Sequence, residues 1–231
     1  MLEQLKDDVC NANIELSKSG LVIYTWGNVS GIDRDSNYMV IKPSGVDYSK
    51  MTAKDMVVVD INTGDVIEGT LRPSSDTLTH MHIYRNFPDI GGITHTHSIN
   101  AVAFAQAGMD IKVLGTTHAD YFAGDVICTK VMSDEEINCD YELNTGRIIV
   151  DTIKERQIDP TKIPAILVRN HGPFTFGGNA LESVRNSVIL ETVADMNYRT
   201  LLLNRDSNIK KTLADRHFNR KHGSNAYYGQ Q

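Results

Sequence analysis

His95-Thr96-His97 closes an apolar run from Ile90 to Thr94, and His171 follows a second apolar run, Ile163 to Val168. Residues two apart on a β-strand project to the same side, so His95 and His97 can hold one ion from a rigid base, with His171 as a third donor. Three imidazoles suit zinc, and also manganese, iron or copper, and they leave an open position for a substrate oxygen or a carboxylate. Such a site is catalytic in type. The competing reading is a histidine pair merely solvated at a strand end, because 8 histidines in 231 residues produce a His-x-His by chance now and then.

Three turns have a composition suited to anions: Gly27-Asn28 after Trp26, Lys42-Pro43-Ser44-Gly45, and Arg72-Pro73-Ser74-Ser75-Asp76. Glycine lets the backbone approach a ligand, serine adds a hydroxyl donor, and N–H groups at a helix start favour a phosphate. Lys42 and Arg72 can add charge. Each turn alone reads more readily as ordinary turn chemistry, and their co-occurrence shifts the balance modestly. Asp76 either caps a helix that begins there or supplies a carboxylate near the metal, and the two roles are compatible. His80 and His82 fall on that same helix but not on one face, which argues against their ligating an ion together. His118-Ala119-Asp120 reads as a hydrogen-bonded loop. The terminal Tyr227-Tyr228 pair is unusual for a frayed end.

The elements that must position these residues follow from periodicity. Leu2, Leu5, Val9, Ala12 and Leu16 recur at helical spacing, with Gly20 as a stop. Leu21 to Thr25, Tyr38 to Ile41 and Met56 to Ile61 read as strands, and Asn62-Thr63-Gly64-Asp65 as a hairpin turn before Val66-Ile67. A helix starts near Asp76, Ser98 caps another through Gln106, and Gly108 ends it. Asp140 to Gln157 looks helical despite Asn144-Thr145-Gly146. Asn179 caps a long helix to about Asn204, and a last helix runs from about Ile209 to Lys221. With no linker, repeat or low-complexity block, the expectation is a single α/β domain over 1–231, three-layered, with a central β-sheet flanked by helices.

Composition narrows the function classes. Hydrophobic content of 41% with 23% charged residues is that of a globular protein with a sizeable core. A formal net charge of −6 argues against a general nucleic-acid binder. No apolar stretch approaches a bilayer span, and the start, Met1 to Asp8, mixes charges where a secretory signal carries an apolar block, so a cytoplasmic location is expected. Cys10, Cys128 and Cys139 form no C-x-x-C pair and no disulfide framework. No Walker loop or G-x-G-x-x-G unit is present, so a nucleotide cofactor is not indicated.

Several blocks, read in order, resemble the class II aldolase/adducin family: Thr25 to Ser30, Ile41 to Val46, Pro73 to Thr77, His95 to Ser98, Gly115 to Tyr121, Asn170 to Phe174 and Ala226 to Gln230. The resemblance runs from the first helix to the last residues. It implies a homotetramer with active sites between neighbouring subunits, and a zinc ion held by His95, His97 and His171 with Asp76 close by; manganese suits the same ligands. Substrate and phosphate contacts would fall on Gly27, Asn28, Ser44, Gly45, Ser74 and Ser75, with Lys42 adding charge. Asp120 and Tyr228, from the adjacent subunit, would be the acid/base pair. The implied activity is metal-dependent epimerisation of a pentulose 5-phosphate at C4 by carbon–carbon cleavage and re-addition. Aldolases of the family, which typically carry Glu where this chain has Asp76, are the nearest alternative. A non-catalytic adducin-like interaction module is the more distant one, since its relatives have lost metal ligands.

Overall fold

A computed structural model describes residues 2–223, 226 and 227 of the chain. The first helix, α1 (Glu3–Lys18), buries Val9, Ala12 and Leu16, the stripe that the spacing predicts. The run Leu21 to Thr25 is not a strand. Its β-rich composition is overridden at Tyr24, which takes a left-handed conformation with φ of 55°, and a second positive φ, 74°, follows at Gly27. Ile23, Tyr24 and Trp26 stay exposed. Pairing starts only at β1 (Asn28–Asp33), whose sequence NVSGID gives little strand signal.

The chain continues through β2 (Tyr38–Ile41), β3 (Val57–Asp60) and β4 (Val66–Glu68) as antiparallel neighbours. Next come α2 (Thr77–Asn86), β5 (Gly92–His95), α3 (Ile99–Ala107), the short α4 (Thr116–Ala119) and α5 (Asp134–Asn138). Then follow α6 (Tyr141–Glu155), β6 (Ala165–Val168), β7 (Gly172–Gly177), α7 (Ala180–Leu203) and α8 (Lys211–His222). The seven strands form one sheet, ordered β4-β3-β2-β1-β5-β7-β6, with every neighbouring pair antiparallel. Strand β7, unforeseen because Pro173 and its glycines dilute the apolar residues, is internal to that sheet.

Alternation of side chains assigns the two faces. Met39, Ile41, Val57, Val59 and Ile93 pack with Met81, Ile83 and Tyr84 of α2 and with Ile149 and Ile153 of α6. Val29, Val40 and Val58 face Val9, Ala12 and Leu16 of α1, with Ala180 and Val184 of α7. A third cluster joins α3, α7 and β6 around Phe104, Phe122, Leu167 and Val193. This is the expected three-layer α/β domain. Among the described residues no helix is long and apolar enough to cross a membrane.

Two regions are more ordered than the sequence alone implies. His118 and Asp120 belong to α4 and its C-terminal cap, not to an open loop. Ser133 and Glu136 form a reciprocal capping box that starts α5, a Ser-x-x-Glu signal present in the sequence.

Candidate active site

His95 is the last residue of β5, opposite Asn28 of β1 on one side and Phe174 of β7 on the other. His97 lies just past the strand end and His171 in the turn between β6 and β7, so the sheet delivers one ligand and two adjoining turns deliver the others. The ring centroids are 4.9 Å (His95–His97), 4.8 Å (His95–His171) and 5.2 Å (His97–His171) apart. One nitrogen from each ring lies within 4.8 Å of the others.

The surroundings select the nitrogens that face inward. His95 Nδ1 is 3.0 Å from the Pro173 carbonyl, which can only accept, so the proton belongs on Nδ1 and Nε2 keeps its lone pair. That Nε2 faces His97 Nε2 at 3.1 Å. Phe174 stacks beneath His95, centroids 4.2 Å apart and planes 18° apart, which fixes the ring tilt. Burial holds His97 below the ordinary histidine range and pushes His171 down to about 3, with the neighbouring imidazoles acting in the same direction. Neutral rings are what a cation requires.

Asp76 stands at the N-cap of α2, yet its side chain makes no capping bond; Oδ2 instead accepts from Asn28 Nδ2 at 2.6 Å. Burial pushes its carboxyl upward, but the adjacent His95 and His80 and the Asn28 bond outweigh this and leave it below the usual value. Three imidazoles and a carboxylate at one end of a cleft make a donor set that fits a divalent metal.

The cleft, about 370 Å³ in volume, extends from these groups to all three anion-type turns. The two loops preceding Gly45 and Asp76 are stitched side by side: Ser44 N donates to Arg72 O at 2.9 Å and Ser74 N donates to Lys42 O at 3.0 Å. Gly27, Asn28, Ser44, Gly45, Ser74 and Ser75 therefore line one wall together. Gly27 is required there, since its positive φ and a Cβ placed 2.8 Å from His95 O both exclude a side chain. Lys42 is only 2% exposed, and its Nζ contacts the Pro43 carbonyl at 3.3 Å and lies 4.7 Å from the Tyr48 ring centre. Burial lowers its ammonium to about 8. A buried cation beside a wall of serines and glycines is a composition suited to an anion.

Some expected residues are elsewhere. Arg72 is not among the residues lining the cleft. His80 lies wholly beneath it, and His82 is outside the histidine group. Asp120 does not line the cleft of its own chain; its carboxylate accepts from Arg220 at 3.0 and 2.8 Å and pairs with His217 Nδ1 at 3.0 Å. Burial pushes the Asp120 carboxyl up, while those two partners bring it below its ordinary value. Tyr228 lies outside the described residues. Conversely, Tyr141 and Glu142 at the start of α6, with Thr25 and Trp26, line the cleft without having been singled out. The Tyr141 hydroxyl is 3.3 Å from His171 Nδ1. A phenol near a helix start carries no distinctive spacing, so nothing in the sequence flagged it.

A family model described as the class II aldolase and adducin N-terminal domain matches residues 7–198. The chain therefore belongs to the class II aldolase and adducin family. Among solved structures, an L-fuculose 1-phosphate aldolase is 24% identical with a TM-score of 0.75, over 92% of this chain and 95% of that one. YgbL of Klebsiella pneumoniae, described as a putative aldolase/epimerase/decarboxylase, is 23% identical with a TM-score of 0.72, over 94% and 99%. The L-fuculose-1-phosphate aldolase of Thermus thermophilus is 22% identical with a TM-score of 0.69, over 90% and 100%. At these identities the likeness is one of fold.

Proposed function

We propose that the chain is a metal-dependent L-ribulose-5-phosphate 4-epimerase, interconverting that sugar with D-xylulose 5-phosphate in pentose catabolism. The observation that carries this reading is the shared cleft, where three imidazoles and Asp76 face a wall of serines and glycines that includes the buried Lys42. Zinc is our assignment for the ion on His95, His97 and His171, with manganese suited to the same ligands. When bound, the divalent ion supplies Lewis-acid stabilisation of the charge left on the C2 and C3 oxygens by cleavage, an effect of several kcal/mol.

The reacting carbon dictates the rest. C4 has no adjacent carbonyl to acidify its hydrogen, whereas the C3–C4 bond lies β to the C2 carbonyl. Removal of the C4 hydroxyl proton turns that oxygen into an aldehyde, and the C3–C4 electron pair moves toward C2 to give an enediolate. Glycolaldehyde phosphate, anchored through its phosphate by Lys42, Ser44, Gly45, Ser74 and Ser75, rotates about its aldehyde and is attacked on the other face. The new C4 alkoxide then takes a proton. Because the C4 oxygen points in different directions in the two epimers, two acid/base groups are needed, and we assign them to Asp120 and Tyr228 of a neighbouring subunit in a cytoplasmic homotetramer. Asp76 and the tail Tyr227-Tyr228-Gly229-Gln230 support the epimerase over the aldolase.

A second reading, a sugar-phosphate aldolase, is favoured by the names of the similar structures. Turnover of L-ribulose 5-phosphate by the zinc-loaded protein separates the two. D-xylulose 5-phosphate without free fragments is the expected result. Net release of dihydroxyacetone and glycolaldehyde phosphate would make it an aldolase, and no turnover would set aside L-ribulose 5-phosphate as the substrate.

A further inference from the structure

Strand β1 and helix α2 meet through a buried polar ladder. Asn28 and Ser30 are two apart on one face of β1, and Asp76, His80 and Tyr84 succeed one another by four along α2. A strand advances about 6.7 Å in two residues and a helix about 6 Å in four, so the rungs coincide. Asn28 Nδ2 donates to Asp76 Oδ2 at 2.6 Å. Ser30 Oγ lies 2.7 Å from His80 Nδ1 and 2.9 Å from Tyr84 Oη. Arg34, past the end of β1, donates to the carbonyls of Tyr84, Phe87 and Ile90 at 2.9, 2.9 and 2.6 Å, tying down the far end of the helix.

Burial energy does not explain this arrangement. Ser30 and His80 are wholly buried, and among the described residues His80 Nε2 has no hydrogen-bond partner, an incomplete satisfaction that an apolar interface would avoid. What apolar contacts cannot supply is an axial stop: a helix can slide along a sheet with little change in buried area, whereas hydrogen bonds break within a fraction of an ångström. Asp76 is the residue for which such a stop matters, because it stands at the helix end and its side chain makes no bond to its own helix.

We propose that Ser30, His80 and Tyr84 are positioning residues that fix α2 along β1 and so hold the Asp76 carboxylate beside His95, His97 and His171. The inference rests on the reading that places Asp76 in the metal site. The test is zinc affinity, by competition with a chromophoric chelator, for the wild type, Ser30→Ala, Tyr84→Phe, Asp76→Asn and the two double variants. Tyr84→Phe keeps the ring and so preserves packing if Ser30→Ala does not fold. We expect Asp76→Asn to weaken zinc binding, and Ser30→Ala or Tyr84→Phe to weaken it about tenfold, with the tenfold loss vanishing in the Asp76→Asn background. Equal effects of the ladder variants with and without Asp76, or wild-type affinity in them, would overturn the positioning role while leaving Asp76 in the site. Wild-type affinity in Asp76→Asn alone would remove Asp76 from the site and the ladder's role with it.

Discussion

The Tyr141 hydroxyl meets His171 Nδ1, a contact that can orient this ring as the Pro173 carbonyl orients His95. Partners of this kind set ring orientation, and losing one commonly weakens a metal about 10- to 100-fold. Tyr141→Phe is therefore expected to lower zinc affinity about tenfold while leaving the thermal midpoint in place, because the half-buried ring survives; equilibrium dialysis with metal analysis and a melting curve check the two halves. Lys42 gives a pH prediction. Its ammonium titrates near 8 in the folded chain against 10.5 when exposed. Below 8 both states are charged and the burial penalty is complete; between 8 and 10.5 the folded form loses its proton first, the penalty is relieved, and stability rises with pH. The attraction for a phosphate is lost over that same window. Inorganic phosphate binding should weaken as pH rises through about 8 in the wild type but stay level in Lys42→Arg, whose guanidinium remains charged; identical profiles would exclude Lys42 from phosphate binding. The histidines and Lys42 were legible because their types and local spacing carry the chemistry. Tyr141 was not, since its role depends on where α6 begins relative to a turn 30 residues away in sequence.

At the scale of elements, long-range packing decides where local signals conflict. Asn144-Thr145-Gly146 weakens a helix reading, yet α6 runs straight through it, because α2 crosses there and leaves no room for a side chain. A Cβ on Gly146 would lie 2.9 Å from His82 Cβ and 3.1 Å from Thr79 O. Gly→Ala inside a helix ordinarily stabilises by roughly 1 kcal/mol. Here the overpacking term, about 1–3 kcal/mol, opposes it, so Gly146→Ala should lower the midpoint of urea unfolding; a raised midpoint would show that the crossing relaxes freely. Helix α3 shows a second case. Ser98 stands at its N-cap but makes no capping bond. The first N–H groups are taken by Glu191 of α7, whose carboxylate accepts from Asn100 N at 2.8 Å and Ala101 N at 3.0 Å. Glu191→Gln replaces one acceptor oxygen with a donor and should remove about 1 kcal/mol, read as a melting shift of about 2–4 °C. Periodicity and capping residues located α1, α2, α3, α6, α7 and α8, whereas β1 and β7, in which Asn, Ser, Gly and Pro interrupt the apolar residues, become strands because sheet partners flank them on both sides.

For the molecule as a whole, the arrangement of Asp120 is the instructive one. One chain assembles the imidazoles, Asp76 and the wall with Lys42, Ser44 and Ser74 in a single cleft, while its Asp120 is bound to Arg220 and His217 of α8 and does not border that cleft. The family resemblance implies that Asp120 serves a neighbouring subunit, a relation that local spacing cannot express because it belongs to the symmetry of the assembly. If it holds, the His97→Asn and Asp120→Asn variants are each inactive for different reasons, one lacking a ligand in its own cleft and the other a group it lends. Co-assembled in equal amounts in a closed ring with random pairing, about one site in four would combine an intact His97 with an intact Asp120 from its neighbour. Activity should therefore return on mixing unfolded variants and refolding them together, to about a quarter of the wild-type level per site, and should not return when each is refolded alone. A mixture as inactive as its components would place both residues in one subunit's chemistry, and the active site would then have to be completed by a rearrangement of α4 and α8 within the chain.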